Sequence, residues 1–186
     1  QRTVLRKIPE TDVRTGPDLF FDSHFIWYHD FVTAWRKLYR REFLLKNNIT
    51  FAEHIMFEDN DYAVLVFAHA ERAKHIQLSV YHYRNNPESI TRTSFTAQHI
   101  AYWVDLCHRM SEVRERFHAE SKDIRFQTLL EEFIRNGISN ICSKYSEMPP
   151  AEQKWAKRCI RKGLDKSMKP YMSKRIYYKL KLGIIK

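Results

Sequence analysis

The sequence has 186 residues, 44% hydrophobic and 14% aromatic, with 32 Lys/Arg against 22 Asp/Glu for a net charge of +10. That composition builds a core and excludes a disordered chain. Four glycines exclude a Gly-rich phosphate loop. Three scattered cysteines (Cys107, Cys142, Cys159) exclude a C-x-x-C zinc site and point to unpaired, buried thiols in a reducing compartment.

Residues 1–18 are polar and broken by Pro9, Gly16 and Pro17, and they read as an irregular lead-in. Pro17 suits the first turn of a short helix over Asp18–Ser23. Residues 24–34 are aromatic-rich without alternation and take no clear class. A helix is expected over Val32–Lys46, where Leu38, Phe43, Leu44 and Leu45 share a face. Asn47-Asn48 ends it, because Asn tolerates the left-handed conformation. A second helix is expected over Tyr62–Arg72, with Asp59 or Asn60 as its N-cap. His75–Arg84 alternates Ile76, Leu78, Val80 and His82 with polar or aromatic residues, the period of a strand, and Asn85-Asn86-Pro87 closes it as a turn.

Three helical stretches follow. Ile100, Trp103, Val104, Cys107, Met110, Val113 and Phe117 repeat at helical spacing over Thr96–Ala119. Phe126, Leu129, Leu130, Phe133, Ile134, Ile138 and Ile141 do so over Asp123–Tyr145. Pro149-Pro150 breaks the chain, and Pro150 opens a helix to about Leu164. Pro170 precedes a last segment, Tyr171–Ile185. No apolar run approaches the roughly 18 residues of a membrane span.

The densest chemistry lies in Phe57-Glu58-Asp59-Asn60-Asp61, three carboxylates within four residues after an apolar run. A carboxylate at a helix start is held as an anion by the positive helix end and is suited to act as a general base. The plainer alternative is an acidic cap beside a solvated glutamate.

In chain order, the segments Trp35–Leu44 (WRKLYRREFL), Asn47–Phe51 (NNITF), Phe57–Asp61 (FEDND) and Val80–Thr91 (VYHYRNNPESIT) resemble the catalytic domain of bacterial family 2 glycosyltransferases. These are inverting enzymes that use nucleotide-sugar donors to build cell-surface polysaccharides, and the resemblance covers about residues 14–94. It implies an α/β fold class: the C-terminal half of a GT-A-like nucleotide-diphospho-sugar transferase fold, here predominantly helical with one or two strands. Residues 1–94 would be the acceptor-side part of that domain, and 95–186 a helical extension. It makes Asp59 the catalytic base and Glu58 its orienting partner. Trp35, Lys37 and Tyr39 would line the acceptor site, with core packing and a snorkelling cation as the alternative. Arg84, Ser89 and Thr91 would lie near the diphosphate. His82, within the strand, reads as a packed or surface histidine and not a metal ligand.

The strand-rich nucleotide-binding half, with its D-x-D metal motif, has no counterpart in this sequence. The resemblance therefore implies a divalent cation (Mg or Mn) in a complete enzyme whose ligands are mostly absent here, and a chain that is inactive by itself.

Charge is unevenly placed. Gln153 to Lys186 holds twelve Lys/Arg and one acid, Asp165; the remainder carries 20 Lys/Arg against 21 acids. Aromatics interleave the tail cations, the pattern of a segment that meets an anionic membrane surface through residues 153–186. Such a protein would be cytoplasmic, peripheral at the inner face of the cell membrane. Two rival readings are a non-catalytic helical module that binds membranes or partner proteins, and a nucleic-acid-binding domain. Nucleic acid is the weaker partner, because no nucleic-acid motif accompanies the charge.

Overall fold

The computed structural model describes residues 10–22, 32–78, 81, 86, 89, 95–119, 124–165 and 167–182. The chain divides into two compact units: Gln1–His54 with Glu58–Asn85, and Ile55–Phe57 with Asn86–Lys186.

In the first unit, Thr15 opens helix α1 (Gly16–Asp22). Its hydroxyl accepts from the Asp18 amide at 3.2 Å and donates to the Asp18 carboxylate at 2.6 Å. Thr15 therefore acts as a side-chain N-cap, with its hydroxyl oriented by the Asp18 carboxylate. A 3-10 turn follows at Ala34–Arg36, then helix α2 (Arg41–Lys46). Asn48 sits at φ 52°, its amide bonded to the Leu45 carbonyl and the next amide, Ile49, to the Leu44 carbonyl. Those two bonds close α2 as a Schellman motif, the left-handed role expected of the Asn pair.

Helix α3 (Glu58–His69) forms the centre of this unit. Tyr62, Ala63, Val64, Val66 and Phe67 are all buried, so α3 is enclosed on most of its circumference. Tyr62 and Val66 pack with Ile49, Ala34, Tyr39, Phe43 and Leu44. Phe67 meets Phe20 of α1 at 5.5 Å. α1 approaches so closely that a Cβ on Gly16 would lie 2.0 Å from the Phe67 carbonyl oxygen.

Three expectations are corrected here. Among the described residues there is no strand, only an isolated antiparallel bridge between Arg14 and Ala73. The α/β, GT-A-like fold class is therefore overturned: the regular structure of the described residues is helical. The physical reason is visible at Ile76 and Leu78, which are 48% and 63% exposed. The apolar face that alternation implied has no sheet to cover it, and these residues form no ladder. Beyond Leu78 only Tyr81 of that stretch is described; Val80, His82 and Arg84 lie outside the described residues, as do 24–31 and Thr91.

Second, the expected helix over Val32–Lys46 is interrupted at 37–40, whose ends adopt extended conformations. The Lys37 ammonium donates to the Thr33 carbonyl and the Tyr39 hydroxyl to the Ala34 carbonyl. These side-chain bonds to backbone acceptors compete with the helix. Leu38, between them, is 93% exposed. Third, Asp59 and Asn60 do not cap α3 from outside: they lie within its first turn, which begins at Glu58.

The second unit is a bundle. Helices α4 (Ala97–Ala119) and α5 (Ile124–Glu147) run antiparallel. Phe117 meets Phe126 at 5.8 Å, Arg114 bonds Glu131, and the Cys107 thiol faces the Ile134 carbonyl. Helix α6 (Pro150–Gly163) lies parallel to α4. At one end, Glu152 accepts from the Ala97 amide at 2.6 Å, placing an anion at the start of α4. At the other, His108 bonds the Gly163 carbonyl. The core is filled by Ile100, Met110, Leu130, Ile134, Ile138 and Ile160, each at most 2% exposed. Burying a side chain of that kind stabilises by roughly 1.5–3 kcal/mol. A 3-10 turn (Lys169–Tyr171) then leads to α7 (Lys174–Leu182), with the Tyr171 hydroxyl 3.1 Å from that of Ser111. No helix among the described residues is long and apolar enough to cross a membrane.

A Cβ on Gly163 would stand 2.1 Å from Val104 Cγ1. Gly163→Ala should destabilise the bundle by about 1–3 kcal/mol in denaturant unfolding. Adding Val104→Ala should recover part of that loss, because it removes the obstructing methyl; purely additive losses would show that the two helices do not meet there.

Candidate active site

The first turn of α3 carries Glu58, Asp59 and Asp61. The residue before it, Phe57, has φ 65°, a conformation that bulky side chains rarely adopt and that costs of order 1–3 kcal/mol. Asp59 is partly buried, and Asn60 Nδ2 donates to its Oδ1 at 2.9 Å. Asn60 itself is 1% exposed, so this donor is fixed in the core.

Two opposing sets of forces act on the Asp59 carboxyl. Burial and the neighbouring Glu58 raise its pKa above the usual carboxylate value. Its own backbone amide, the Asn60 side chain and the Lys37 charge pull it down and do not prevail. The helix-start geometry alone had implied an easily ionised group. Desolvation moves the pKa the other way, towards the operating range of a general base.

Lys37 reaches this site from the extended segment before α2. Its Nζ donates to the Thr33 carbonyl at 2.9 Å and stands 5.8 Å from the centre of the Phe67 ring. Burial, reinforced by Arg36, lowers its pKa to about 8, while the Asp59 charge acts in the opposite sense. Lys37 and Asp59 are thus both partly desolvated, and each acts on the other's charge from positions 22 apart in the sequence. Tyr39 lies beside them in the chain. Its hydroxyl is tied to the Ala34 carbonyl at 3.2 Å, its ring meets Tyr62 edge-on at 5.6 Å, and burial raises its pKa.

Trp35 is 48% exposed, as is Tyr81, and their rings are 6.1 Å apart. Ser89 belongs to the second unit, its amide bonded to the Asn86 carbonyl. Arg84 and Thr91 lie outside the described residues. The structure therefore gathers Lys37, Asp59 and Glu58 at one place and sets Trp35 with Tyr81.

Sequence reasoning missed Asn60 as a ligand of Asp59, Phe67 beneath Lys37, and Tyr81 as the companion of Trp35. Asn60 was visible as a neighbour, but its burial was not. No local signal linked Phe67 or Tyr81 to the segment near residue 35. Among the described residues no group of three or more His, Cys, Asp or Glu side chains is placed to hold a metal ion. The ligand set expected of a divalent cation is not assembled among the described residues.

Over 75 residues the chain is 40% identical to the uncharacterized glycosyltransferase EpsJ of Bacillus subtilis (strain 168). The matched segment spans 40% of this chain but only 20% of that protein. No protein-family model matches the chain, and no solved structure matches it. The likeness is to a glycosyltransferase, over part of the chain, and is no finer than that.

The desolvated lysine has a measurable signature. Below pH about 8, folding must bury the Lys37 cation; between that pH and the ordinary lysine value of 10.5, the unfolded chain keeps its proton longer than the folded one. Wild-type stability should accordingly rise with pH across this window. Lys37→Met should be more stable than wild type near neutrality by about 1–3 kcal/mol. Urea unfolding across a pH series should show that advantage fading as pH approaches 10.5.

Proposed function

We propose that this chain is the acceptor-side part of an inverting, family 2 type glycosyltransferase. It would move a sugar from a nucleotide-sugar donor to a glycan or lipid-linked acceptor in cell-surface polysaccharide synthesis. The observation that carries the reading is the partly buried Asp59 carboxylate at the start of α3, held by Asn60 and acted on by the charge of the half-buried Lys37. The partial likeness to a glycosyltransferase supports the reaction class.

In this reading the Asp59 carboxylate accepts the proton of an acceptor hydroxyl. The hydroxyl oxygen forms a bond to the anomeric carbon from the face opposite the leaving group. The bond from that carbon to the phosphate oxygen breaks, and its electron pair departs with the nucleoside diphosphate. A single displacement inverts the configuration. A raised pKa brings Asp59 closer to the pH at which it must both be ionised and take a proton.

Glu58 supports that shift by charge repulsion, and Asn60 fixes the orientation of the carboxylate. Lys37 would hold an acceptor hydroxyl or phosphate oxygen, as a charged donor whose desolvation strengthens each bond it makes. The half-exposed rings of Trp35 and Tyr81 offer apolar faces on which a sugar ring can stack. Tyr39 positions the segment through its bond to Ala34. Arg84, Ser89 and Thr91 would contact the donor diphosphate. The remaining donor contacts and any divalent cation would come from polypeptide outside this sequence.

Asp59→Asn in the full-length enzyme tests the assignment. Transfer should fall by about 10²–10⁴-fold while donor binding is retained. Stability at neutral pH should not fall, because the substitution relieves a desolvated charge. Transfer at near wild-type rates would remove Asp59 as the base and leave a non-catalytic helical module as the better reading.

A further inference from the structure

Helix α6 carries Lys154, Lys157, Arg158, Arg161 and Lys162. At about 100° per residue these five fall on one stripe some 12 Å long. They line a shallow, open basic depression of about 420 Å³ to which no other described residue contributes. Ala156 and Ile160, on the opposite side, are fully buried in the bundle. Among the described residues, no carboxylate forms an ion pair with any of the five. Like charges concentrated in this way repel one another, and the arrangement is stable only because the buried face holds the helix in place.

Trp155, at 41% exposure, borders the stripe on the side of Arg158 and Lys162. An indole with one half in the protein and one half in water suits a lipid headgroup layer. The cations of α7 are arranged differently. Arg175 and Lys179 line a groove with Ser139, Ser143 and Glu147 of α5. Lys169, just before α7, covers the Tyr177 ring at 5.2 Å. Those charges face or cover neighbouring side chains and do not form one open row.

We propose that the α6 stripe, with Trp155 at its edge, is a docking surface for an anionic lipid bilayer, and that α7 contributes little to it. The basic tail as a whole is then not the unit of recognition: one face of one helix is. A bilayer fits better than a nucleic acid because the surface is shallow, carries its aromatic at the margin, and offers no groove to enclose a strand. The inference is independent of the transferase reading and its test involves no catalysis.

The test compares equal charge losses at two places. Full-chain protein is titrated with phosphatidylcholine vesicles, with and without phosphatidylserine, for wild type, Arg158→Gln/Arg161→Gln and Arg175→Gln/Lys179→Gln. Circular dichroism first establishes that each variant keeps its helices. Wild type should bind only the phosphatidylserine vesicles, more weakly as salt rises. The α6 pair should lose about 30-fold in affinity, about five-fold per cation removed, while the α7 pair stays within about three-fold. Equal losses in both pairs would mean bulk charge and not a surface, and would overturn the proposal. Equal binding to phosphatidylcholine alone, or tighter binding of duplex DNA at the same salt, would overturn it as well.

Discussion

The desolvation of ionisable groups around one enclosed helix is the constraint on which the first unit depends. α3 is covered on most of its surface by α1, by the segment around residue 34 and by α2. Anything at its start is therefore taken partly out of water. Asp59 and Lys37 are both shifted towards their neutral forms by that enclosure, and each acts on the other's charge in the restoring sense. Holding two such groups partly out of water costs stability.

The supports around that pair follow from simple packing needs. The extended turn at 37–40 lets Lys37 and Tyr39 point the same way while Leu38 points out, the two-residue alternation of extended backbone. Their bonds to the Thr33 and Ala34 carbonyls anchor the segment. Phe51 stacks on Tyr62 at 4.0 Å, with the rings nearly parallel, and joins the chain after α2 to the same helix. The second unit uses similar devices, such as the His108 bond to the Gly163 carbonyl and the Ser111–Tyr171 hydroxyl pair. Its interior is mainly apolar, with Ser111 and Gln127 as buried polar residues, and burial pushes the Cys107 thiol up to about 12, which leaves it unreactive.

Legibility followed periodicity. The long helices were readable within a residue or two because Ile100, Val104, Cys107, Met110 and their counterparts on α5 repeat on one face over about four turns. Pro150 and Asn48 announced their roles through backbone chemistry alone. The alternation of Ile76 and Leu78 misled, since a period of two records what a segment could bury and not whether a partner is there to bury it. The break inside Val32–Lys46 was hidden for a related reason: Leu38 belongs to the apolar face only on a helical wheel. At the candidate site, Asp59, Lys37 and Trp35 could be singled out as residue types in a familiar order. Their mutual effects could not, because a pKa depends on enclosure by residues such as Phe67 and Asn60, which only the fold brings near.

Helix α6 is tied to α4 at both ends, by Glu152 at the Ala97 amide and by His108 at the Gly163 carbonyl, with Gly163 seated against Val104 between them. A rod fastened at two points and notched near one of them can neither slide along its neighbour nor roll about its own axis. Its outward azimuth is therefore set during folding. Whatever meets that side of the helix encounters charges already aligned, so the conformational entropy of lining them up is lost before the encounter and not during it.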